Sequence, residues 1–313
     1  MKKRFTLFCL LVLSVFIHAQ QLPITTNYLL NRFAINPAIA GIKPCSETNL
    51  GHRNQWTGIE NAPETFYAAY NSRWNRKDKY PDELIGYGIN IVNDKVGFVD
   101  RTYIRLAYSY HIKLWKAYRL SFGIYAGIQQ YSFSYNSVNI PNKGIDPAVK
   151  DETETSLITP EVSPGIFMYN KNFFLGLSSF QIFPTRMYKI GTNDQRLSAH
   201  YYFMGGYRLR GQFLHYIPSF LLSFSPYAPP TADISLTMDY KSWISIAAGS
   251  KYLNSAYAII NFKIAPPLTL GYVYEYGLNE INRLAPNTHE FTLSFATCYT
   301  EKTEPKFFCP AYQ

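Results

Sequence analysis

Histidine, serine and carboxylate residues near the end of the chain are the first place to look for chemistry. His289 and Glu290 lie close to Ser294, and a hydrolase would need Ser, His and an orienting acid or amide to converge. No Gly-x-Ser-x-Gly elbow accompanies them. His289 is therefore read as an interfacial side chain, and no catalytic residue is assigned. His111, His200 and His215 fall on different predicted strands, so no metal ligand set is assigned. The acidic run from Asp146 to Glu161 has no calcium-loop pattern with a Gly turn and reads as a solvated external loop. No cofactor is expected. Asn36-Pro37-Ala38 is either a partner motif or a turn, since Asn-Pro favours turn initiation. Arg53, Gln55 and Trp56 form either a recognition patch or, for Trp56, an anchor at a membrane–water boundary.

The elements that would position these residues are strands. Charged residues make up 16% of the 313 residues, against roughly 25% in a soluble protein. Aromatics reach 17%, yet mean hydropathy is only -0.15. Apolar and polar residues must therefore alternate rather than segregate into long runs. Along 232–240, Ala232, Ile234, Leu236, Met238 and Tyr240 oppose Asp233, Ser235, Thr237 and Asp239. Along 102–114, Ile104, Leu106, Tyr108, Tyr110 and Ile112 oppose Arg105, Ser109, His111 and Lys113. Period two means strand. The stretch 211–232 carries no formal charge, but Pro218, Pro226, Pro229 and Pro230 argue against a membrane helix.

The pattern tiles as 47–54, 65–74, 85–93, 102–114, 119–133, 162–169, 173–183, 198–209, 214–225, 232–240, 243–252, 255–264, 268–276 and 289–299. That predicts an all-β, closed antiparallel outer-membrane barrel of about 14 strands. The even-numbered connections are mostly short and the odd-numbered ones include the long ones, with 75–84 and 253–254 as exceptions. Both termini then face the periplasm.

Lys2, Lys3 and Arg4 before the apolar run Phe5–Ile17 and the small Ala19 predict a signal peptide over 1–19. Its removal takes the net charge from +9 to +6. The remaining cations are scattered, which does not suit nucleic acid. The expected organisation is a periplasmic segment over 20–46, a barrel over 47–299 and a periplasmic tail over 300–313. Cys45 precedes the first strand and Cys309 follows the last, so a Cys45–Cys309 disulfide is expected, with Cys298–Cys309 as the competing pairing. Strand closure also sets Arg53 near Glu290 at the external rim, partly solvated.

A series of motifs resembles the PorP/SprF family of type IX secretion system membrane proteins. It begins with Asn36-Pro37-Ala38-Ile39-Ala40-Gly41, Arg53-Asn54-Gln55-Trp56-Thr57-Gly58 and Ala62-Pro63-Glu64-Thr65. Gly86-Tyr87-Gly88, Asp94-Lys95-Val96-Gly97, Asp146-Pro147 and Phe174-Leu175-Gly176-Leu177-Ser178 follow. Gly271-Tyr272-Val273-Tyr274-Glu275 and Thr288-His289-Glu290 complete it. Asn61, Glu275 and Thr288 replace the Gly, Asp and Ser usual in the family. The resemblance implies an outer-membrane, lipid-embedded barrel tied to secretion and gliding. Its implied partners are periplasmic ring components of the PorK and PorN type and a secreted adhesin with a type IX C-terminal domain. A diffusion channel, with Arg105, Lys113 and Glu290 lining a wet lumen, is the alternative, and a membrane-embedded hydrolase is a third reading.

Overall fold

The computed structural model describes residues 26–74, 83–115, 118–134, 154–183, 198–226, 228–241, 243–252, 254–278 and 287–297. The signal peptide, Asp146, Pro147, Cys298, Cys309 and the tail over 300–313 lie outside them. Fourteen strands form one antiparallel barrel: β1 Glu47–Asn54, β2 Glu64–Arg73, β3 Glu83–Val96, β4 Val99–Lys113, β5 Arg119–Ser134, β6 Glu154–Tyr169 and β7 Phe173–Phe180. Then come β8 His200–Tyr207, continued past Arg208 by Leu209–Arg210, β9 Leu214–Ser225, β10 Ala228–Tyr240, β11 Ile244–Lys251, β12 Ser255–Ala265, β13 Leu268–Gly277 and β14 Asn287–Ala296. Each strand pairs with its sequence neighbour, and β1 closes the barrel on β14 from Glu47↔Ala296 to Asn54↔His289.

The two faces invert the pattern of a soluble protein. On β4, Ile104, Leu106 and Tyr108 are 39%, 61% and 51% exposed, while Arg105, Ser109 and His111 are buried. A charge inside and an aliphatic side chain outside is stable only where the outside is lipid. The longest connections, 135–153 and 181–199, lie at the end of the barrel that carries Asn54. That end is taken as external.

Two sequence expectations change. β6 begins at Glu154 rather than at 162, despite Pro160 and Pro164. The paired register with β7 runs only from Gly165↔Ser178 to Tyr169↔Phe174. The prolines thus fall where β6 is hydrogen-bonded to β5 alone, so their missing N–H groups disrupt no ladder to β7. Glu161 accordingly sits in a strand facing the lumen and not in a solvated loop. β3 and β4 extend to Val96 and Val99, joined by a turn in which Gly97 has φ 60.

The larger correction concerns the segment expected in the periplasm. Its described part lies inside the barrel as three short 3₁₀ turns, Thr26–Leu29, Arg32–Ala34 and Pro37–Ile39. Tyr28, Phe33, Ile35, Ala38, Ile39, Ala40 and Ile42 are buried there. They pack on Tyr125, Phe167, Phe174, Phe180 and Met204 from the wall, and this contact is the main apolar core. A wall lined with small and aromatic residues leaves a lumen that needs filling, and the segment fills it.

Candidate functional site

The filled lumen is the candidate site, and it has a backbone-reading side and a charged side. A 3₁₀ segment leaves carbonyls without intrahelical partners, and burial makes each one costly. Lumen-facing donors on strands far away in sequence take them up. Ser178 Oγ donates to Ile35 O at 2.7 Å, Ser121 Oγ to Ala38 O at 2.7 Å and Ser109 Oγ to Ala40 O at 2.8 Å. The Tyr125 hydroxyl donates to Phe33 O. Arg73 Nε and Nη2 reach Gly41 O and Ile42 O at 3.1 and 2.7 Å. A carbonyl only accepts, so His111 Nε2 donates to Ala40 O at 2.8 Å, leaving Nδ1 to accept from the Tyr169 hydroxyl at 3.1 Å.

Asn36 and Pro37 form the centre of this arrangement. The Asn36 side chain accepts from Ala38 N at 2.9 Å and caps the last turn, with Pro37 at its first position. Its Nδ2 donates to Ile166 O and Leu177 O, each at 3.1 Å, where β6 and β7 diverge. Of the two readings open for Asn36-Pro37-Ala38, the turn is the one realised, and it is fully buried. Close approach requires wall positions without side chains. A Cβ at Gly86 would overlap the Ala40 carbonyl, and one at Gly123 would overlap the backbone of Ala38.

The charged side lies near the external rim. Arg53 and Glu290 face each other across the β1–β14 seam, with Arg53 Nη1 3.4 Å from Glu290 Oε2. Arg53 Nη2 is 3.0 Å from Glu275 Oε2, so the guanidinium forks between two carboxylates rather than binding one bidentately. The pair is not partly solvated: Arg53 is 5% exposed and Glu290 0%. Lys251 Nζ lies 2.9 Å from Glu275 Oε2. Two cations thus meet two anions, and their net charge is zero.

Thr26 completes the cluster. Its hydroxyl accepts from Arg53 Nη1 at 2.5 Å and Lys251 Nζ at 2.7 Å and donates to Glu275 Oε2 at 2.5 Å. Its backbone N–H donates to Glu290 Oε2 at 2.8 Å. The hydroxyl's one donor and two acceptor sites are all used. Tyr67 donates to Glu290 Oε1 at 3.1 Å, and Asn27 Nδ2 donates to Thr292 Oγ1 at 2.9 Å. Across the lumen, Arg105 Nε donates to Glu161 Oε2 at 2.8 Å and its guanidinium lies 4.5 Å from the Tyr103 ring centroid. Arg105 and Glu290 were expected to line a wet lumen; both are engaged in buried pairs instead.

The remaining predicted residues divide between rim and outer face. Gln55 N donates to Pro63 O at 2.9 Å, closing the loop 55–63. Trp56 has φ 56, is half-buried, and donates its N–H to Thr288 Oγ1 at 3.2 Å. Thr57 N donates to Asn287 O at 2.8 Å, so this loop joins the start of β14. His289 faces outward and shares a 2.8 Å hydrogen bond with Tyr272. Ser294 lies on the lumen phase, opposite Asn49 on β1, so His289 and Ser294 occupy opposite faces. Ser109 and His111 are 3.1 Å apart, but both are directed at the Ala40 carbonyl beneath the plug. Among the described residues no group of three His, Cys, Asp or Glu side chains could hold a metal ion. Cys45 is disulfide-bonded, and Cys9, Cys298 and Cys309 all lie outside the described residues.

Sequence reasoning missed Thr26, Asn27 and Lys251, and it missed the donors Ser109, Ser121, Tyr125 and Ser178. One signal was present: Gly86, Ser109, Gly123, Gly165 and Ser178 place small residues on the lumen phase of β3 to β7, where the plug approaches.

The family described as "Type IX secretion system membrane protein PorP/SprF" matches residues 17–295. No curated protein sequence matches the chain. Among solved structures, the Ralstonia pickettii toluene transporter TbuX is similar with a TM-score of 0.52 at 9% identity, covering 84% of this chain and 92% of that one. The deltaS2S3 mutant of the TodX monoaromatic hydrocarbon channel gives a TM-score of 0.50 at 9% identity, covering 86% and 94%. At such identity the likeness is one of fold.

Proposed function

The chain belongs to the PorP/SprF family of type IX secretion system membrane proteins, and from that membership we propose that it is a noncatalytic outer-membrane component that supports the secretion or surface attachment of an adhesin. Export through a Sec signal peptide over 1–19 is part of this reading. The observation that carries it is the occupied lumen: Thr26–Ile42 is held by wall donors and a buried ion cluster, which suits a docking scaffold better than a pore. PorK- and PorN-type ring components are its proposed periplasmic partners. An adhesin with a type IX C-terminal domain is its proposed external one. The loop 55–63, hydrogen-bonded to Asn287, supplies the external contact, with Arg53, Gln55 and Trp56 at its base.

Deleting the gene is expected to remove one adhesin, or a small set, from the cell surface while other type IX cargo is still exported. Surface proteomes that match between deletion and parent strains would end the adhesin reading. The second reading, a diffusion channel, draws on the fold shared with a toluene transporter. Reconstituted protein should be nearly silent in planar bilayers; steady conductance from the intact chain would favour the channel.

A further inference from the structure

The plug runs through the barrel in one direction, and Thr26 marks its upper end. Thr26 bonds to Arg53, one residue before the external end of β1, and to Glu275, two before the end of β13. Its N–H bonds to Glu290, near the external start of β14, and its hydroxyl to Lys251, the last residue of β11. Gly41, at the other end of the plug, accepts from Arg73 at the periplasmic end of β2. The plug therefore runs from the external rim down to the periplasmic rim, where Cys45 leads into β1.

We infer that the mature protein presents its amino terminus at the external mouth of the barrel and not in the periplasm. The inference rests on signal-peptide cleavage after Ala19, which leaves Gln20–Thr25 ahead of Thr26. An extended chain spans ~3.3–3.6 Å per residue, so this stretch reaches about 20 Å. The route back to the periplasm is closed by the plug itself, since Tyr28, Phe33 and Ile39 are buried against the wall below Thr26. Thr26 itself already lies level with the external ends of β1, β11 and β13. The segment that occupies the lumen is thus tethered to the outside, where a surface partner can grip its end.

The test places an epitope between Gln20 and Gln21 in the full chain, expressed in its native outer membrane. A second epitope within 135–153 reports barrel orientation, and a third after Gln313 reports the periplasm. On intact cells, antibody is expected to bind the first as strongly as the second, with no gain on permeabilising the membrane, while the third requires permeabilising. Binding at the first that behaves like the third overturns the inference. So does an intact mass that retains residues 1–19. If the amino-terminal epitope prevents insertion, Leu22→Cys with a membrane-impermeant maleimide gives the same readout at native length. None of these outcomes depends on which adhesin is served, so the secretion reading fails or stands separately.

Discussion

Arg53 sits where a single side chain holds three parts of the chain together. It bridges Glu290 on the last strand, Glu275 on the one before it, and Thr26 in the plug, all away from water. Removing one partner from such a cluster leaves charge buried without compensation, at a cost of about 3–5 kcal/mol. Arg53→Met is therefore expected to lower the unfolding midpoint of the detergent-solubilised barrel well beyond what an exposed rim pair at ~0–1 kcal/mol would give. An unchanged midpoint would mean the cluster contributes no net stability. Thr26→Val keeps the shape but removes the acceptor shared by Arg53 and Lys251, a loss of about 1–3 kcal/mol. That loss is smaller than the one at Arg53, so it should appear as added conductance with a smaller drop in the unfolding midpoint than Arg53→Met gives.

At the scale of elements, strands and plug obey different rules, and only one set is visible in a sequence. A strand in this barrel alternates because lipid lies on one side, so β1 can be read to the residue and the facing of Arg53 with Glu290 follows from closure. β6 is obscured because Pro160 and Pro164 argue against a central strand, and only the one-sided pairing explains why they are tolerated. The plug has no period at all. Its turns are too short for one, and its stability comes from Ser109, Ser121 and Ser178, which lie about 70 to 140 residues downstream. Asn61, where the family usually carries Gly, is explained by a φ of 58, a region Asn tolerates better than most residues. The plug's fit depends on bare wall positions. Gly123→Val should force Ala38 off the wall and raise single-channel conductance, while Ile124→Ala on the lipid face should not. A silent Gly123→Val barrel that still folds would show that the lumen has room the packing does not suggest.

For the whole molecule, the first and last strands meet at the seam. Cys45 stands at the plug–barrel junction and is disulfide-bonded. We expect Cys309 as its partner, with Cys298, which follows the Thr297 whose N–H donates to Ser46 O at 3.0 Å, as the alternative. Closing so long a loop is worth ~4–5 kcal/mol in the chain-entropy account. Non-reducing peptide mapping should return a Cys45–Cys309 peptide, and reduction should lower the unfolding midpoint. A Cys45–Cys298 peptide would overturn the assignment.

The ion cluster also orders events in time. Thr26 and Arg53 are made first and Glu275 and Glu290 last, with 237 residues separating Arg53 from its seam partner. Until β13 and β14 arrive, Arg53 lacks both carboxylates and the N–H of Thr26 lacks its acceptor. A truncated or stalled chain can form hairpins from the middle of the barrel, but it cannot latch its own amino-terminal end. The latch can therefore close only in a barrel whose final two strands are already in place.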